Sequence, residues 1–179
     1  VYAAKGDGIM EFGLRRAQGP DAGIYGARAA VIGGCVGTSN VLTGKMFDVP
    51  VKGTHAHSWI MSFPDEYTAF KTYANLYPNA CLLLVDTYDV LDSGVPNAIR
   101  VFKEMKEKDP NFHGYGIRID SGDLAYLSKK TRKMLDDAGL TDCQIVASNS
   151  LDEYTISSLI DQGGCIDSFG VGERLITSK

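Results

Sequence analysis

The sequence lacks the long apolar runs and basic stretches that mark membrane proteins and nucleic-acid-binding proteins. Its longest apolar runs, such as Cys81–Val85, are about one strand long, whereas a membrane span needs roughly 20 apolar residues. The 18 Lys and Arg residues are outnumbered by 22 Asp and Glu residues, which gives a net charge of −4, and no basic stripe occurs. These absences argue against a membrane partner and against a nucleic-acid partner.

Closely paired cysteines are also missing. The four cysteines, at positions 35, 81, 143 and 165, are far apart and include no Cys-x-x-Cys pair. Each lies in or beside a predicted strand, so we expect small buried apolar residues in a reducing compartment rather than a zinc site. The first ten residues do not have the shape of a signal peptide, and we expect a cytoplasmic protein.

Apolar, β-rich segments alternate with helical patterns along most of the chain, without a repeat or a linker. The predicted strands are Cys35–Gly37, Val49–Gly53, Leu82–Asp86, Gly116–Asp120, Gln144–Ala147 and Ser168–Val171. The predicted helices are Asp21–Ile32, Asn40–Phe47, Asp65–Leu76, Pro96–Lys106, Asp123–Ala138 and Leu151–Gln162, the last beginning at a capping box from Ser150 to Glu153. Short, continuously apolar strands such as LLLVD are typical of parallel strands covered on both faces.

Polar residues cluster where predicted strands end and helices begin. The segments are GTSN (37–40), THAHS (54–58), DTYD (86–89), RIDSGD (118–123), SNS (148–150) and GVGE (170–173). In an α/β barrel this edge carries the catalytic groups, whereas an open sheet uses fewer of its loops. We therefore predict an α/β fold, an incomplete TIM-like (β/α) barrel of mostly parallel strands that forms one catalytic domain over residues 1–179.

His55 and His57 lie two residues apart at a predicted strand end, where both side chains could point to one face. Such a pair fits a metal site, another catalytic role or two hydrogen-bonded structural histidines. Metal-dependent barrel hydrolases that carry His-x-His need further histidines on later strands. Only His113 remains in this sequence, and it precedes its strand at the wrong edge, which weighs against the metal.

The densest polar clusters follow the strands that end at Asp86 and Asp120. Asp86 could orient a histidine or bind Mg²⁺, or it could be a solvated carboxylate at a helix start. Arg118 suits bidentate recognition of phosphate or carboxylate. Asp120 and Asp123 beside a phosphate indicate bridging Mg²⁺, and the alternative is a structural network of salt bridges.

Small residues end the last two predicted strands. Ser148 and Asn149 follow one strand, and Gly170 and Gly172 follow the other, so their backbone N–H groups could form a phosphate cradle. A simple tight turn is the alternative for the Gly-x-Gly pattern.

An aromatic residue and two arginines precede the first predicted helix. Phe12 could stack on a flat ring, and Arg15 or Arg16 could hold an anion. The alternative is one buried and one solvated arginine.

Six segments together resemble the nicotinate phosphoribosyltransferase family. They are EFGLRRAQGPDAG, GGCVGTSN, PVKGTHAHSW, VDTYDV, IRIDSGDL and FGVGERLITS, and they occur in the family's order over nearly the whole chain. The resemblance implies the type II phosphoribosyltransferase architecture and a homodimer. It also implies synthesis of nicotinate mononucleotide and pyrophosphate from nicotinate and 5-phosphoribosyl 1-pyrophosphate in NAD biosynthesis, coupled to ATP hydrolysis through a transiently phosphorylated histidine.

The resemblance also implies roles for individual residues. His57 would be the phosphorylated histidine, oriented by Asp86, and Phe12 would stack on the pyridine ring. Arg15 and Arg118 would contact phosphate, pyrophosphate or the substrate carboxylate. Asp120 and Asp123 would hold ribose hydroxyls or Mg²⁺, and the backbone at Ser148, Asn149, Gly170 and Gly172 would hold the 5′-phosphate.

The residue at position 39 bears on the substrate. Related nicotinamide phosphoribosyltransferases have Asp where this chain has Ser39, and a carboxylate there repels the carboxylate of nicotinate. We therefore favour nicotinate as the substrate.

The segment 148–150 departs from the Ser-Gly-Asp of many relatives. Both chain ends look cut, so we expect a central barrel portion without the family's N-terminal domain and C-terminal remainder. A nicotinamide-using enzyme, a metal-dependent barrel hydrolase and an inactive truncated barrel are the alternatives.

Overall fold

Parallel strands alternate with helices along residues 1–178, the part of the chain that the computed structural model describes. The strands are β1 (Gly8–Glu11), β2 (Gly37–Thr38), β3 (Cys81–Leu84), β4 (Tyr115–Ile119), β5 (Gln144–Ser148) and β6 (Ser168–Val171). The helices are α1 (Pro20–Ile32), α2 (Val41–Phe47), α3 (His57–Met61), α4 (Glu66–Leu76), α5 (Val95–Lys108), α6 (Leu124–Asp137), α7 (Glu153–Asp161) and α8 (Glu173–Thr177). These elements form two compact units: residues 1–53 with those from Ala147 onward, and residues 54–146.

The first unit is built on β1, which pairs in parallel with β2 on one side and with β6 on the other. Glu11 lies opposite Thr38 in one pairing and opposite Val171 in the other. Because all three strands run in the same direction, their carboxyl ends meet at one edge. The turns that follow Glu11, Thr38 and Val171 are therefore neighbours.

The second unit is built on β3 and β4, which are parallel with Cys81 opposite Tyr115 and Leu84 opposite Arg118. Helix α5 covers the sheet with an apolar face at helical spacing. Its buried residues are Val95, Ala98, Val101, Phe102 and Met105. A turn of π-helix, Val90–Gly94, leads into α5 and follows the polar segment that contains Asp86.

The six helices expected from the sequence are present, with ends that shift by at most two residues. Asp123 caps α6 by accepting a hydrogen bond from the Tyr126 N–H at 3.0 Å, as its position at the start of that pattern predicts. The capping box at Ser150 is wrong. Asp152 caps α7 and accepts from the Thr155 N–H at 2.7 Å, whereas Ser150 lies two residues earlier in a left-handed backbone conformation with φ 50°.

The predicted strand Cys35–Gly37 is found at Gly37–Thr38, and two further strand predictions differ from the structure. Strand β1 was not expected, because its sequence GIME is short and contains residues with low β-propensity. The predicted strand Val49–Gly53 is wrong: only an isolated bridge joins Val51 to Thr38. Pro50 explains part of the difference, since a proline has no N–H to donate to a sheet.

The burial of the cysteines tests the expectation that they are small apolar residues of the core. Cys35, Cys81 and Cys143 are buried as expected, while Cys165 is only partly buried. Burial raises the pKa of the Cys81 thiol to about 12, so this side chain is a small apolar residue at neutral pH.

Within residues 1–178, no helix combines the length and the apolarity that crossing a bilayer requires.

Gly94 gives a test of how the second unit is packed. A methyl group at this position would lie 1.9 Å from the Val85 carbonyl oxygen, next to Asp86 in the chain. We expect Gly94→Ala to destabilise the protein by about 2 kcal/mol or more, because backbone atoms must move to relieve the overlap. Urea unfolding measures the change. Gly53→Ala is the matched control, since a methyl group there meets no atom within 4 Å, and equal stability of the two variants would contradict the packing.

Candidate active site

The second unit holds His57 against a buried carboxylate. His57 is the first residue of α3, and its Nε2 lies 3.2 Å from Oδ1 of Asp86. The Asp86 side chain is 2% exposed, whereas that of His57 is 40% exposed. Oδ2 of Asp86 accepts a hydrogen bond from the Ser121 hydroxyl at 2.5 Å. Both carboxylate oxygens are therefore in use, and the imidazole has a fixed orientation.

The His57–Asp86 contact fixes the histidine tautomer. A carboxylate accepts hydrogen bonds, so Nε2 of His57 carries the proton that it donates to Asp86. Nδ1 then keeps its lone pair in the neutral ring. This nitrogen makes no hydrogen bond with the described residues 1–178, and it is the nucleophilic atom of the side chain.

His55 has a different environment, although it lies only two residues away. Its Nε2 accepts a hydrogen bond from the Leu84 N–H at 3.2 Å, and its Nδ1 lies 3.4 Å from the Ala56 carbonyl oxygen. The ring packs edge-on against Tyr73, with 4.7 Å between ring centroids. Both ring nitrogens are thus used within the protein, and His55 is a structural histidine that binds the end of β3.

The expectation that the two histidines share one face of a strand end is wrong. Thr54–Ala56 is not a strand, and His57 opens a helix. The backbone changes direction between the two residues, so one imidazole is buried against β3 and the other faces Asp86. His113, the third histidine, is exposed, and its Nδ1 lies 2.7 Å from the Asn111 carbonyl oxygen.

Arg118 brings a half-buried positive charge to the same unit. It lies on β4, and its Nε has no hydrogen-bond partner among residues 1–178. Burial lowers the pKa of Arg118, while the nearby carboxylates of Asp120 and Asp86 act in the opposite direction. The guanidinium remains charged at any physiological pH.

Asp120 and Asp123 follow β4 at the start of α6. The Asp123 carboxylate is exposed and caps α6, and Asp120 is half-buried beside Arg118. No group of three or more His, Cys, Asp or Glu side chains converges anywhere in residues 1–178. The carboxylates of Asp120 and Asp123 fit a Mg²⁺ ion that keeps most of its water and phosphate ligands. They do not fit a metal that is held by protein ligands alone.

In the first unit, Phe12 packs directly on the two glycines that follow β6. The Phe12 N–H donates to the Val171 carbonyl oxygen at 2.7 Å. A methyl group on Gly170 would lie 2.7 Å from the Phe12 ring, and one on Gly172 would lie 3.0 Å from the Phe12 carbonyl oxygen. The Gly-x-Gly pattern is therefore required by the close approach of Phe12, which is a reason that the sequence pattern alone does not reveal.

Arg15 and Ser39 lie near the same edge of the first unit. Arg15 is exposed in the 3-10 turn Leu14–Arg16, and it forms no ion pair with another described residue, whereas Arg16 lies 3.8 Å from Glu173. Ser39 follows β2 and donates its N–H to the Glu11 carbonyl oxygen at 2.9 Å. The Ser39 hydroxyl makes no hydrogen bond within residues 1–178.

The turn after β5 has an unusual backbone. Ser148 is buried, and the next two residues, Asn149 and Ser150, have φ of 95° and 50°. Glycine adopts such angles without strain, and Asn is the side chain that tolerates them best. This backbone conformation suits glycine as well as asparagine at position 149.

Sequence reasoning missed two contacts of the candidate site. The segment RIDSGD contains Ser121, but nothing in the sequence pairs it with Asp86, since only the fold brings β3 and β4 together. Glu11 was not considered, although it is fully buried at the end of β1. A carboxylate in a short apolar segment directly before Phe-Gly was the available signal.

The family of the chain follows from a match over almost its whole length. The family model described as "Nicotinate phosphoribosyltransferase (NAPRTase) family" matches residues 8–178. The chain belongs to this family. The match includes both units and every candidate site residue named above.

Individual relatives agree with this assignment. The nicotinate phosphoribosyltransferase of Bacillus subtilis is 59% identical over 169 residues, which are 94% of this chain and 34% of that protein. The nicotinate phosphoribosyltransferase pncB2 of Mycobacterium tuberculosis strain H37Rv is 44% identical over 179 residues, 100% of this chain and 38% of that protein. This chain thus spans little more than a third of the length of these relatives.

Solved structures of the family have the same fold. The crystal structure of human nicotinic acid phosphoribosyltransferase superimposes with a TM-score of 0.84 at 31% identity, covering 96% of this chain and 45% of that chain. This similarity confirms the predicted fold class.

The buried His55 predicts how stability depends on pH. Burial lowers its pKa from 6.5 to about 4, and the positive charges of Arg118 and His57 act in the same direction. Between these two values the unfolded chain binds a proton that the folded protein excludes. His55 therefore contributes stability that is fully present above pH 6.5 and is lost as the pH falls through about 4, up to about 3 kcal/mol in total.

His55→Gln removes this titration while keeping an acceptor for the Leu84 N–H. We expect the stability of this variant to decline less steeply than that of the wild type between pH 6.5 and 4, the interval set by the two pKa values. Urea unfolding at several pH values measures both curves, and all other titrating groups are common to the two proteins. Parallel curves would show that His55 is not held neutral by the fold.

Proposed function

We propose that the protein makes nicotinate mononucleotide and pyrophosphate from nicotinate and 5-phosphoribosyl 1-pyrophosphate in nicotinate salvage for NAD biosynthesis, coupled to ATP hydrolysis. Membership of the family supports the overall reaction. The contact between His57 and Asp86 supports the coupling, because it supplies a partly exposed imidazole whose orientation and tautomer are fixed. A homodimer and a cytoplasmic location are parts of the same proposal.

His57 would accept the γ-phosphoryl group of ATP at Nδ1. The lone pair of Nδ1 attacks phosphorus, the bond to the ADP oxygen breaks, and the negative charge of Asp86 stabilises the positive charge on the imidazole. Water later attacks the same phosphorus and releases phosphate. The Asp86 carboxylate keeps both hydrogen bonds throughout, since neither Nε2 of His57 nor the Ser121 hydroxyl takes part in the transfer.

The ribosyl transfer is a displacement of pyrophosphate at the anomeric carbon by the pyridine nitrogen. Its transition state resembles an oxocarbenium ion, so the enzyme has to align the ring and neutralise the departing pyrophosphate. In the first unit, Phe12 would stack on the pyridine ring, Arg15 would contact an anionic group, and the backbone of residues 148, 149, 170 and 172 would hold the 5′-phosphate. In the second unit, Arg118 would bind pyrophosphate.

Asp120 and Asp123 would hold Mg²⁺ or the ribose hydroxyls. Bound Mg²⁺ supplies positive charge that neutralises pyrophosphate and the phosphates of ATP. Asp120 lies beside Arg118 after β4, and Asp123 follows at the start of α6. Carboxylates beside a phosphate site are favourable when a cation lies between the two groups.

A metal-dependent barrel hydrolase is not favoured by the geometry. That function needs the two histidines as ligands of one metal. His55 uses Nε2 to accept from Leu84 and Nδ1 to approach Ala56, so binding a metal would break contacts of a buried ring.

Replacing the proposed phosphate acceptor tests the coupling. We expect His57→Ala to reduce ATP hydrolysis by roughly 100-fold or more, because no other nucleophile replaces the imidazole. Slow transfer without ATP should persist, since His57 is not the ribosyl nucleophile. The measurements are ADP release and nicotinate mononucleotide formation in the natural protein that contains this chain, together with labelling by ATP that carries radioactive γ-phosphate.

The matched control is His55→Gln, which changes the neighbouring histidine and keeps its acceptor for Leu84. This variant should retain ATP hydrolysis and acid-labile labelling. Undiminished ATP hydrolysis in His57→Ala would show that His57 is not the phosphate acceptor.

The choice between nicotinate and nicotinamide depends on Ser39. Its hydroxyl has no partner within residues 1–178 and can donate to the carboxylate of nicotinate, whereas Asp at this position would accept from the amide of nicotinamide. We expect Ser39→Asp to raise KM for nicotinate at least about tenfold through repulsion between two carboxylates. Steady-state kinetics with both substrates measures the change. Ser39→Thr keeps a hydroxyl as the control, and unchanged nicotinate kinetics in Ser39→Asp would exclude contact with the substrate.

A further inference from the structure

Glu11 is a fully buried carboxylate without a cationic partner. It ends β1 with 0% of its surface exposed, and it forms no ion pair with any described residue from 1 to 178. Arg15 and Arg16, the nearest arginines in sequence, are both exposed. Burial of a lone carboxylate is unfavourable unless hydrogen bonds replace the lost water. The hydrogen bonds that Glu11 accepts show which groups this buried carboxylate holds in place.

The carboxylate of Glu11 joins two turns that carry proposed substrate-binding residues. One oxygen accepts the Gly13 N–H, which lies just beyond Phe12. The other oxygen accepts the hydroxyl of Thr38 at 2.5 Å, directly before Ser39. The Glu11 carbonyl oxygen also accepts the Ser39 N–H at 2.9 Å. A single residue thus holds the backbone beside Phe12 and the backbone beside Ser39.

The turn at Phe12 is held on both sides. The hydrogen bond from Gly13 to the Glu11 carboxylate spans Phe12, and the Phe12 N–H donates to Val171 at 2.7 Å. A methyl group on Gly13 would lie 2.7 Å from the Glu11 carboxylate and 2.5 Å from Cβ of Ile176. Position 13 therefore has no room for a side chain while the carboxylate is in place.

The turn at Ser39 is held through Thr38. The Thr38 hydroxyl donates to Glu11 and accepts the Asn40 N–H at 3.0 Å. Asn40 in turn caps α2 by accepting from the Thr43 N–H at 3.1 Å. Thr38 and Asn40 are themselves buried. The network runs from the end of β1 through the end of β2 to the first turn of α2.

We propose that Glu11, acting through Thr38, is a positioning residue that sets the relative placement of Phe12 and Ser39 for the pyridine substrate. The proposal rests on the proposed function of the protein. Glu11 does not touch the substrate itself. It fixes the backbone under the aromatic ring that would stack on the pyridine and under the hydroxyl that would recognise its carboxylate.

Thr38→Val tests the proposal in the natural protein that contains this chain. Valine has nearly the shape of threonine but cannot donate to Glu11 or accept from Asn40. We expect KM for nicotinate to rise at least about tenfold, as for loss of a well-placed binding group, while KM for 5-phosphoribosyl 1-pyrophosphate changes less than twofold. Thr38→Ser restores the hydroxyl and should return KM for nicotinate to within about threefold of the wild type.

The possible outcomes distinguish failure of the proposed function from failure of the positioning role of Glu11. A wild-type protein that makes no nicotinate mononucleotide overturns the proposed function. An active wild type with unchanged KM for nicotinate in Thr38→Val, or with KM equally raised for both substrates, overturns the positioning role. If Thr38→Val does not fold, Thr38→Ala serves instead, because it also removes the hydroxyl that donates to Glu11 and accepts from Asn40. This variant should show the same selective rise in KM for nicotinate, and an unchanged KM would overturn the positioning role of Glu11.

Discussion

In each compact unit, a buried carboxylate near the carboxyl end of a parallel strand holds polar turns in place. Asp86 accepts from His57 and Ser121 in the second unit, and Glu11 accepts from Gly13 and Thr38 in the first. Parallel strands bring loops that are distant in sequence to one edge, but the loops need additional bonds to fix their positions. A carboxylate has two oxygens, so it can hold two such loops at once. The unfavourable burial of its charge makes the arrangement sensitive to the loss of either donor.

The sequence predicts most of the helices because their signals are local. Helix α5 has apolar residues at helical spacing, and α6 begins at a capping Asp and ends before Gly139, which has φ of 79°. Strand β1 could not be predicted in the same way. Its four residues, GIME, become a strand because β2 and β6 pair with both of its edges, and those partners lie far away in the chain. The prediction of a strand at Val49–Gly53 fails for the opposite reason. This segment has apolar residues, but within residues 1–178 it pairs with a strand only through the isolated bridge between Val51 and Thr38.

The candidate site was predictable only in part. The pairing of Asp86 with His57 came from resemblance to a family, whereas spacing alone left a metal pair, another catalytic role and two structural histidines as alternatives. The reason for Gly170 and Gly172 was out of reach, because it depends on Phe12, about 160 positions earlier in the chain. Glu11 and Ser121 were missed because a hydrogen bond between strand ends has no signature in either segment. Residue types are visible in the sequence, whereas their partners are set by strand order.

The two neighbouring histidines show how environment divides the chemistry of one residue type. His55 is neutral at physiological pH, because burial and the nearby positive charges oppose its protonation, and its nitrogens are engaged with backbone groups of Leu84 and Ala56. A second charged imidazole next to His57 would compete for the negative charge of Asp86. A neutral His55 leaves that carboxylate to His57, whose ring would become positively charged on accepting the phosphoryl group proposed above. The same buried ring fixes the segment before α3 to β3, so that the helix starts with His57 facing Asp86. The placement of His57 therefore depends on His55, although only His57 would touch a substrate.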